Sequence, residues 1–293
     1  MTITVTVAAK THSRLGEGAF WDHSLQRLWW VDIYAGLIHR FDPESGRNET
    51  FDFGEAVGCV APRVSGGLVV AAKTGVYLYD PETGVRECLC HPEADLVENR
   101  ANDGCTDPMG RFWFGTMKDG GPFEARGSFY RLDPDMTLTK WRGNVGITNG
   151  LAFSPDGHTM YCSDSHPKVR TIWAYEYDFA TGTPSGQRVF FDTTAVAGRP
   201  DGGTVDSEGC YWQAGVSGWE VYRISPQGKV LLTIPVPVEK PSKPMFGGAN
   251  LDTLYLTSIG EGFENDPAQP LAGCLFAITG HGTRGVSQAL FGG

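Results

Sequence analysis

An oxygen-bearing side chain stands just before a glycine at one phase of a long internal repeat, and no other feature of this 293-residue chain constrains its fold as strongly. The clearest copies are Glu17-Gly18, Asn102-Asp103-Gly104, Asn149-Gly150 and Asp201-Gly202. Each is followed about ten residues later by an apolar strand core: RLWWVDI, RFWFGT, TMYCSD and CYWQAG. Two further copies keep the phase without the polar group, Val57-Gly58 before GLVVAA and Phe246-Gly247 before TLYLTS. Aligning the cores on Leu28, Leu68, Phe112, Met160, Tyr211 and Leu254 gives steps of 40 to 51 residues. That is the period of propeller blades.

A second strand and a tight turn follow each core: LIHRFDPESG, GVYLYDPETG, GSFYRLDPDM, IWAYEYDFATG, EVYRISPQGK and GCLFAITG. Aromatic and β-branched residues alternate with polar ones, the period-two signal of half-buried strands. Asp-Pro and Ser-Pro followed by Gly suit turns, because Pro presets the first turn dihedral and Gly accepts the positive one. No amphipathic helix period is sustained anywhere. The pattern predicts an all-β fold, a six-bladed β-propeller of four-stranded blades around a central channel, as one domain over residues 1–293. The opening ITVTVAAK sits upstream of Glu17 much as NETFDF sits upstream of Val57. It is therefore expected as the outermost strand of the last blade, with the tail GVSQALFGG packing nearby or competing for that place. A simple end-to-end ring fits as well.

A net charge of −10 without a basic stripe argues against nucleic acid or an anionic membrane as partner. No apolar run approaches the roughly 18 residues that span a bilayer, and the N-terminus has no charged start with an apolar signal core. A cytoplasmic protein with a small-molecule partner is expected, as a monomer or small homo-oligomer. The seven cysteines are odd in number and mostly lie in strand runs, as small buried hydrophobes of a reducing compartment do. Cys88 and Cys90 alternate with Leu89 and should share a strand face. The histidines show no metal-binding spacing, and His166 alone stands near a polar cluster. There is no nucleophile elbow, P-loop or dinucleotide fingerprint. Any chemistry falls to the oxygen cluster.

Singly, an Asn or Asp before Gly is a turn residue, and Asp156-Gly157 and Asp206-Ser207-Glu208-Gly209 read that way. The cluster differs because four blades contribute at one phase, so its side chains converge at the channel. Carboxylates and amides are hard oxygen donors suited to Ca²⁺, Mg²⁺ or Mn²⁺, while the absence of His and Cys weakens the case for zinc.

LGEGAFWD, LWWVDI, NRANDG with DPMGRFWFGTM, ITNGLAFSPDG, RPDGGTVDSEG and KPMFGG, in this order, resemble the gluconolactonase, or senescence-marker-protein and regucalcin, family. The resemblance covers nearly the full length. GTMKDG and NGLAFSPDG look most like bacterial pentonolactonases acting on arabinono- or xylonolactone. The resemblance implies a propeller that binds one divalent metal ion in its channel and hydrolyses sugar lactones. Ca²⁺ is the first expectation for that ion, with Mg²⁺, Mn²⁺, Zn²⁺ and Fe²⁺ as alternatives. By motif, the metal ligands fall on Glu17, Asn149 and Asp201, and the substrate contacts on Arg100 and Asn102. In some family members a carboxylate after GTM contributes to sugar binding, which here is Asp119 or Glu124 of KDGGPFEARG. Asp201 is also the expected general base, and Asp103 either touches a sugar hydroxyl or holds its loop. The same site would suit ester or phosphotriester hydrolysis, or calcium binding without catalysis. A scaffold for protein partners would need no oxygen donors in phase.

Overall fold

The computed structural model describes residues 2–293. Its strands form six four-stranded antiparallel sheets. The first strands of the six pack side by side around the channel: Gly16–Asp22, Val57–Pro62, Asn99–Thr106, Thr148–Phe153, Arg199–Val205 and Pro241–Gly247. They belong to blades 1 to 6 in that order. This is the predicted six-bladed propeller. Between the blades lie the residues that the strand cores contribute, among them Leu28, Leu68, Phe112, Met160, Tyr211 and Leu254, all fully buried. The D-x-x-x-G turns close the hairpins as their chemistry dictates. The Asp80 carboxylate accepts from the Glu82 N–H at 2.9 Å and the Thr83 hydroxyl at 2.8 Å, and Gly84 takes the positive φ that ends the turn. The single helical element among the described residues is a short 3₁₀ turn, Thr193–Ala195. No helix among them is long and apolar enough to cross a membrane.

The ring closes between the two ends of the chain. Strand Thr4–Ala9 pairs antiparallel with Leu275–Thr279 and becomes the outermost strand of blade 6, as its phase predicts. The tail does not compete for that place. It crosses the channel end where the inner strands finish: Gly285 bridges to Asp206, Ala289 O accepts from the Thr106 hydroxyl at 2.5 Å, and the Phe291 N–H donates to Pro62 O at 2.8 Å. The Phe291 ring is fully buried, 6.5 Å from that of Phe112. Blades 2, 3 and 5 are thereby tied by a segment belonging to none of them.

One part of the repeat alignment is corrected. Leu28, Leu68, Phe112, Met160, Tyr211 and Leu254 pair across the ladder with Trp21, Pro62, Thr106, Phe153, Val205 and Phe246. Four residues before each partner stand Glu17, Gly58, Asn102, Asn149, Asp201 and Ser242. The blade-6 copy is thus Ser242-Lys243 rather than Phe246-Gly247, because Gly247 lies at the far end of its strand. In blade 2 the in-phase position is glycine itself. A Cβ on Gly58 would lie 2.4 Å from the carbonyl carbon of Ala101, so neighbouring inner strands approach too closely there for any side chain.

If the tail is a structural tie, Phe291→Ala should lower unfolding free energy in urea by about 3–5 kcal/mol, the usual cost of emptying a buried phenylalanine site. A loss below ~1 kcal/mol, within the range of a surface change, would remove that role.

Candidate metal centre

Every inner strand departs from regular ladder pairing at one level. The register shifts fall at Glu17/Phe20, Val57/Cys59, Ala101/Gly104, Asn149/Ala152, Pro200/Gly203 and Pro241/Pro244. A bulge sets two residues against one, which bends the strand and re-aims its side chains. Gly18 and Gly150 supply the positive φ (60° and 67°) that the bulged backbone takes after Glu17 and Asn149. At Gly18 and Gly150 the glycine is thus a backbone requirement, whereas a Cβ on Gly104 or Gly202 would collide with Cys59 Sγ or Lys243 Cδ; the oxygen donor before each is aimed by the bulge.

The in-phase side chains form two groups. Glu17 and Asp201, from blades 1 and 5, lie beside one another as a carboxyl pair. Both are almost wholly buried. Burial, then the nearby Asp103 carboxylate, push Glu17 up to about 7. Burial and the adjoining Glu17 raise Asp201 well above the usual carboxylate range, against the pull of Arg199. Two like charges so close and so buried disfavour full ionisation, so both carboxyls keep their protons to higher pH than they would in water. The second group is a chain of amides. Asn102 Nδ2 donates to Asn149 Oδ1 at 3.0 Å and to Thr148 O at 2.7 Å, and Asn149 Nδ2 donates to the Ser165 hydroxyl at 2.7 Å. These bonds turn the Asn149 oxygen to the same side as its donor, Asn102, with one carbonyl lone pair left over.

Arg100 stands above Asn102. Its Nη1 donates to Asn102 Oδ1 at 2.7 Å and to Ala101 O at 2.9 Å, and its Nε donates to Asp119 Oδ1 at 3.2 Å. Asp119 also accepts from the Tyr34 hydroxyl at 3.2 Å, and the Arg100 guanidinium lies over the Tyr34 ring, 5.3 Å from its centroid. Of the two carboxylates in the loop after GTM, Asp119 joins this cluster. Glu124 turns away to the Lys118 ammonium at 2.5 Å. On the same loop Phe123 stacks on His166.

Asp103 does not face solvent. It is fully buried beneath the pair, accepting from the Lys243 ammonium at 2.7 Å and from the Leu151 N–H at 3.0 Å. Of the two roles expected for it, this geometry matches the loop-holding one, since neither oxygen reaches the mouth. Lys243 is equally buried. Burial opposes its charge, but Asp103 beside it holds the ammonium pKa above its ordinary value. The sequence reading missed Lys243, because it tracked oxygen-before-glycine and Lys243 is followed by Pro244. Ser165 and Tyr34 were missed as well. Both lie in loops outside the repeat phase, and nothing in their local sequence marks them.

Among the described residues no three His, Cys, Asp or Glu side chains converge as a metal cluster. A cation here must rest on two carboxylates and amide oxygen. That set fits a hard divalent ion, which takes oxygen ligands and tolerates neutral carbonyls among them. Glu17 and Asp201 are buried acidic groups that repel one another, and a divalent ion would satisfy both carboxylates.

The family description "SMP-30/Gluconolactonase/LRE-like region" matches residues 15–260, which include all six inner strands. A 6-deoxy-6-sulfogluconolactonase of Pseudomonas putida is 38% identical over 296 residues covering 100% of both chains. A pentonolactonase of Haloferax volcanii is 36% identical with 94% of each chain covered. The crystal structure of regucalcin from Agrobacterium tumefaciens, a calcium-binding protein, superposes with a TM-score of 0.92 at 31% identity, covering 99% of this chain and 97% of that one. With every inner strand inside the matched region and relatives alike over their whole length, this chain belongs to the SMP-30/gluconolactonase/LRE-like family.

Proposed function

We propose that this chain hydrolyses a sugar aldonolactone, a pentono- or hexonolactone, to the aldonic acid with the help of one divalent cation. The observation that carries the reading is the buried carboxyl pair of Glu17 and Asp201 beside the Asn102–Asn149 amides, within a mouth furnished by Arg100, Asp119 and Tyr34. Likeness over nearly the whole chain to a 6-deoxy-6-sulfogluconolactonase and a pentonolactonase supports the reaction class. Likeness to a calcium-binding regucalcin supports Ca²⁺ as the first cation to test.

Glu17, Asn149 and Asp201 would hold the ion, which when bound polarises a lactone carbonyl and lowers the pKa of water. With the ion in place both carboxylates would be ionised, since its charge would offset the burial and repulsion that hold their pKa values up. In that form Asp201 takes the proton of the attacking water. Arg100 brings a fixed positive charge and donors to the sugar and to the oxyanion that develops at the carbonyl. Asn102, held between Arg100 and Asn149, orients the sugar. Asp119 accepts from a sugar hydroxyl, and Asp103 keeps the Asn102 bulge in place from below.

Three outcomes follow. Asp201→Asn keeps an oxygen at the ligand position but removes the base, so turnover of a lactone panel should fall about 10²–10⁴-fold while calcium binding persists in calorimetry. Near wild-type turnover by this variant would overturn the base assignment. Chelation should abolish hydrolysis and added Ca²⁺, Mg²⁺ or Mn²⁺ restore it. Full activity in protein shown by elemental analysis to be metal-free would overturn the cation's role, and tight calcium binding with no lactone turned over would leave only a binding function.

The third outcome concerns pH. Without a cation, folded Glu17 keeps its proton up to about 7, whereas the unfolded chain releases it near the ordinary glutamate value. The folded state then binds more protons than the unfolded one, so stability falls as pH rises through that window. Asp201, raised for the same reason, carries the fall higher. In chelator, the melting temperature of Glu17→Gln relative to wild type should therefore rise between pH 5 and pH 8, and saturating calcium should reverse the order. A difference independent of pH would contradict the paired-carboxyl picture.

A further inference from the structure

Lys243 follows the in-phase Ser242 of blade 6 as Asp103 follows the in-phase Asn102 of blade 3, and the two meet across the channel under the carboxyl pair. Neither has any exposed surface, and the Lys243 Nζ to Asp103 Oδ1 distance is 2.7 Å. The lysine stem passes directly beneath blade 5. A Cβ on Gly202, the residue after Asp201, would lie 2.3 Å from Lys243 Cδ. Glycine at 202 thus makes room for the lysine. An ammonium taken so completely from water is costly, and an unbranched apolar side chain of similar volume would fill the same space without that cost. What only the lysine adds is charge.

The charges that meet at this level are few. Glu17, Asp103 and Asp201 are three carboxylates, and Lys243 is the one buried ammonium among them. At the rim Arg100 brings its own counter-ion in Asp119. Arg199 pulls on Asp201 from the rim, but it is part-exposed, hydrogen-bonds Ser165 O at 3.2 Å, and adds the same charge to every variant compared below. With all three carboxylates ionised, the floor of the site carries two negative charges, matching one divalent cation in magnitude.

We propose that Lys243 is a positioning and charge-setting residue: it fixes Asp103 beneath the site and trims the floor from three negative charges to two, which makes the site select divalent over trivalent cations. This rests on the cation site of the preceding section. In a dry, weakly screened cavity each uncompensated charge acts strongly on the bound ion, and the count of ligand charges tunes cation affinity.

The test uses the full chain stripped with chelator and two oxygen-seeking ions of similar size, Ca²⁺ and Tb³⁺, titrated separately by calorimetry and by terbium luminescence. Lys243→Met leaves three floor charges and should raise the Tb³⁺-to-Ca²⁺ affinity ratio by about tenfold or more. Asp103→Asn leaves one and should lower it. The double variant Asp103→Asn/Lys243→Met again leaves two and should return the ratio to that of wild type. A folded Lys243→Met with an unchanged ratio would overturn the proposal. So would a double variant that keeps the shift of Lys243→Met, because local geometry rather than charge would then govern the ion. If Lys243→Met does not fold, Asp103→Asn and the double variant decide by the same charge count. Wild-type protein that binds neither ion defeats the cation reading itself. Binding of both ions with ratios that ignore the charge count defeats only the assignment to Lys243.

Discussion

Closing six sheets around a channel brings six inner strands to one narrow level, and whatever side chains stand at that level are buried together whether or not their charges suit one another. Glu17, Asp103 and Asp201 come from three different blades, are all buried, and lie within electrostatic reach of one another. In an interior of this kind an unpaired carboxylate is unstable, so each must keep a proton, find a cation or accept hydrogen bonds. Asp103 takes the second course with Lys243 and adds the Leu151 N–H. Glu17 and Asp201 keep their protons to higher pH instead, and a divalent ion would give them the second course. The chemistry proposed for the site is the consequence of leaving one of these conflicts to be settled by a ligand.

The remaining structure keeps that conflict in register. Bulges at one level aim the six in-phase positions, and the chain from Arg100 through Asn102, Asn149 and Ser165 to the Pro200 carbonyl locks three neighbouring blades in a single hydrogen-bonded line. Such networks tolerate little displacement, since a broken member leaves a buried polar group without a partner. At the opposite end the tail lies across blades 5, 3 and 2 and seats Phe291 in the core. One end of the channel is filled with chain, and the polar furniture gathers at the other.

Much of this could be read from the residues in order. A repeat of 40 to 51 residues with alternating strands leaves few folds other than a propeller, and the opening strand declared its outer position by its spacing from Glu17. Equal phase in a closed ring means equal height for Glu17, Asn102, Asn149 and Asp201, and there Asn102 hydrogen-bonds Asn149 while Glu17 lies beside Asp201. Lys243 escaped for a reason of the same kind. Its blade has no glycine after the in-phase residue, so the eye fell on Gly247, which matches the pattern but lies at the far end of its strand. Gly58 was legible as a glycine but not as a contact, since the carbonyl it spares belongs to Ala101, forty-three positions on.

What the sequence alone determined is therefore periodic: the number of blades, the strand that closes the ring, and the height at which oxygen donors meet. Periodicity carries such information because each repeat folds by the same local rules. What only the tertiary structure decided is pairwise: that Asp103 takes Lys243 rather than solvent, that Asp119 and not Glu124 reaches Arg100, and that the tail crosses the channel instead of entering blade 6. Partners of this sort lie 140 positions apart for Asp103 and Lys243 and 183 for Thr106 and Ala289. Their pairing depends on distances of a few ångströms between blades, which no pattern along the chain records.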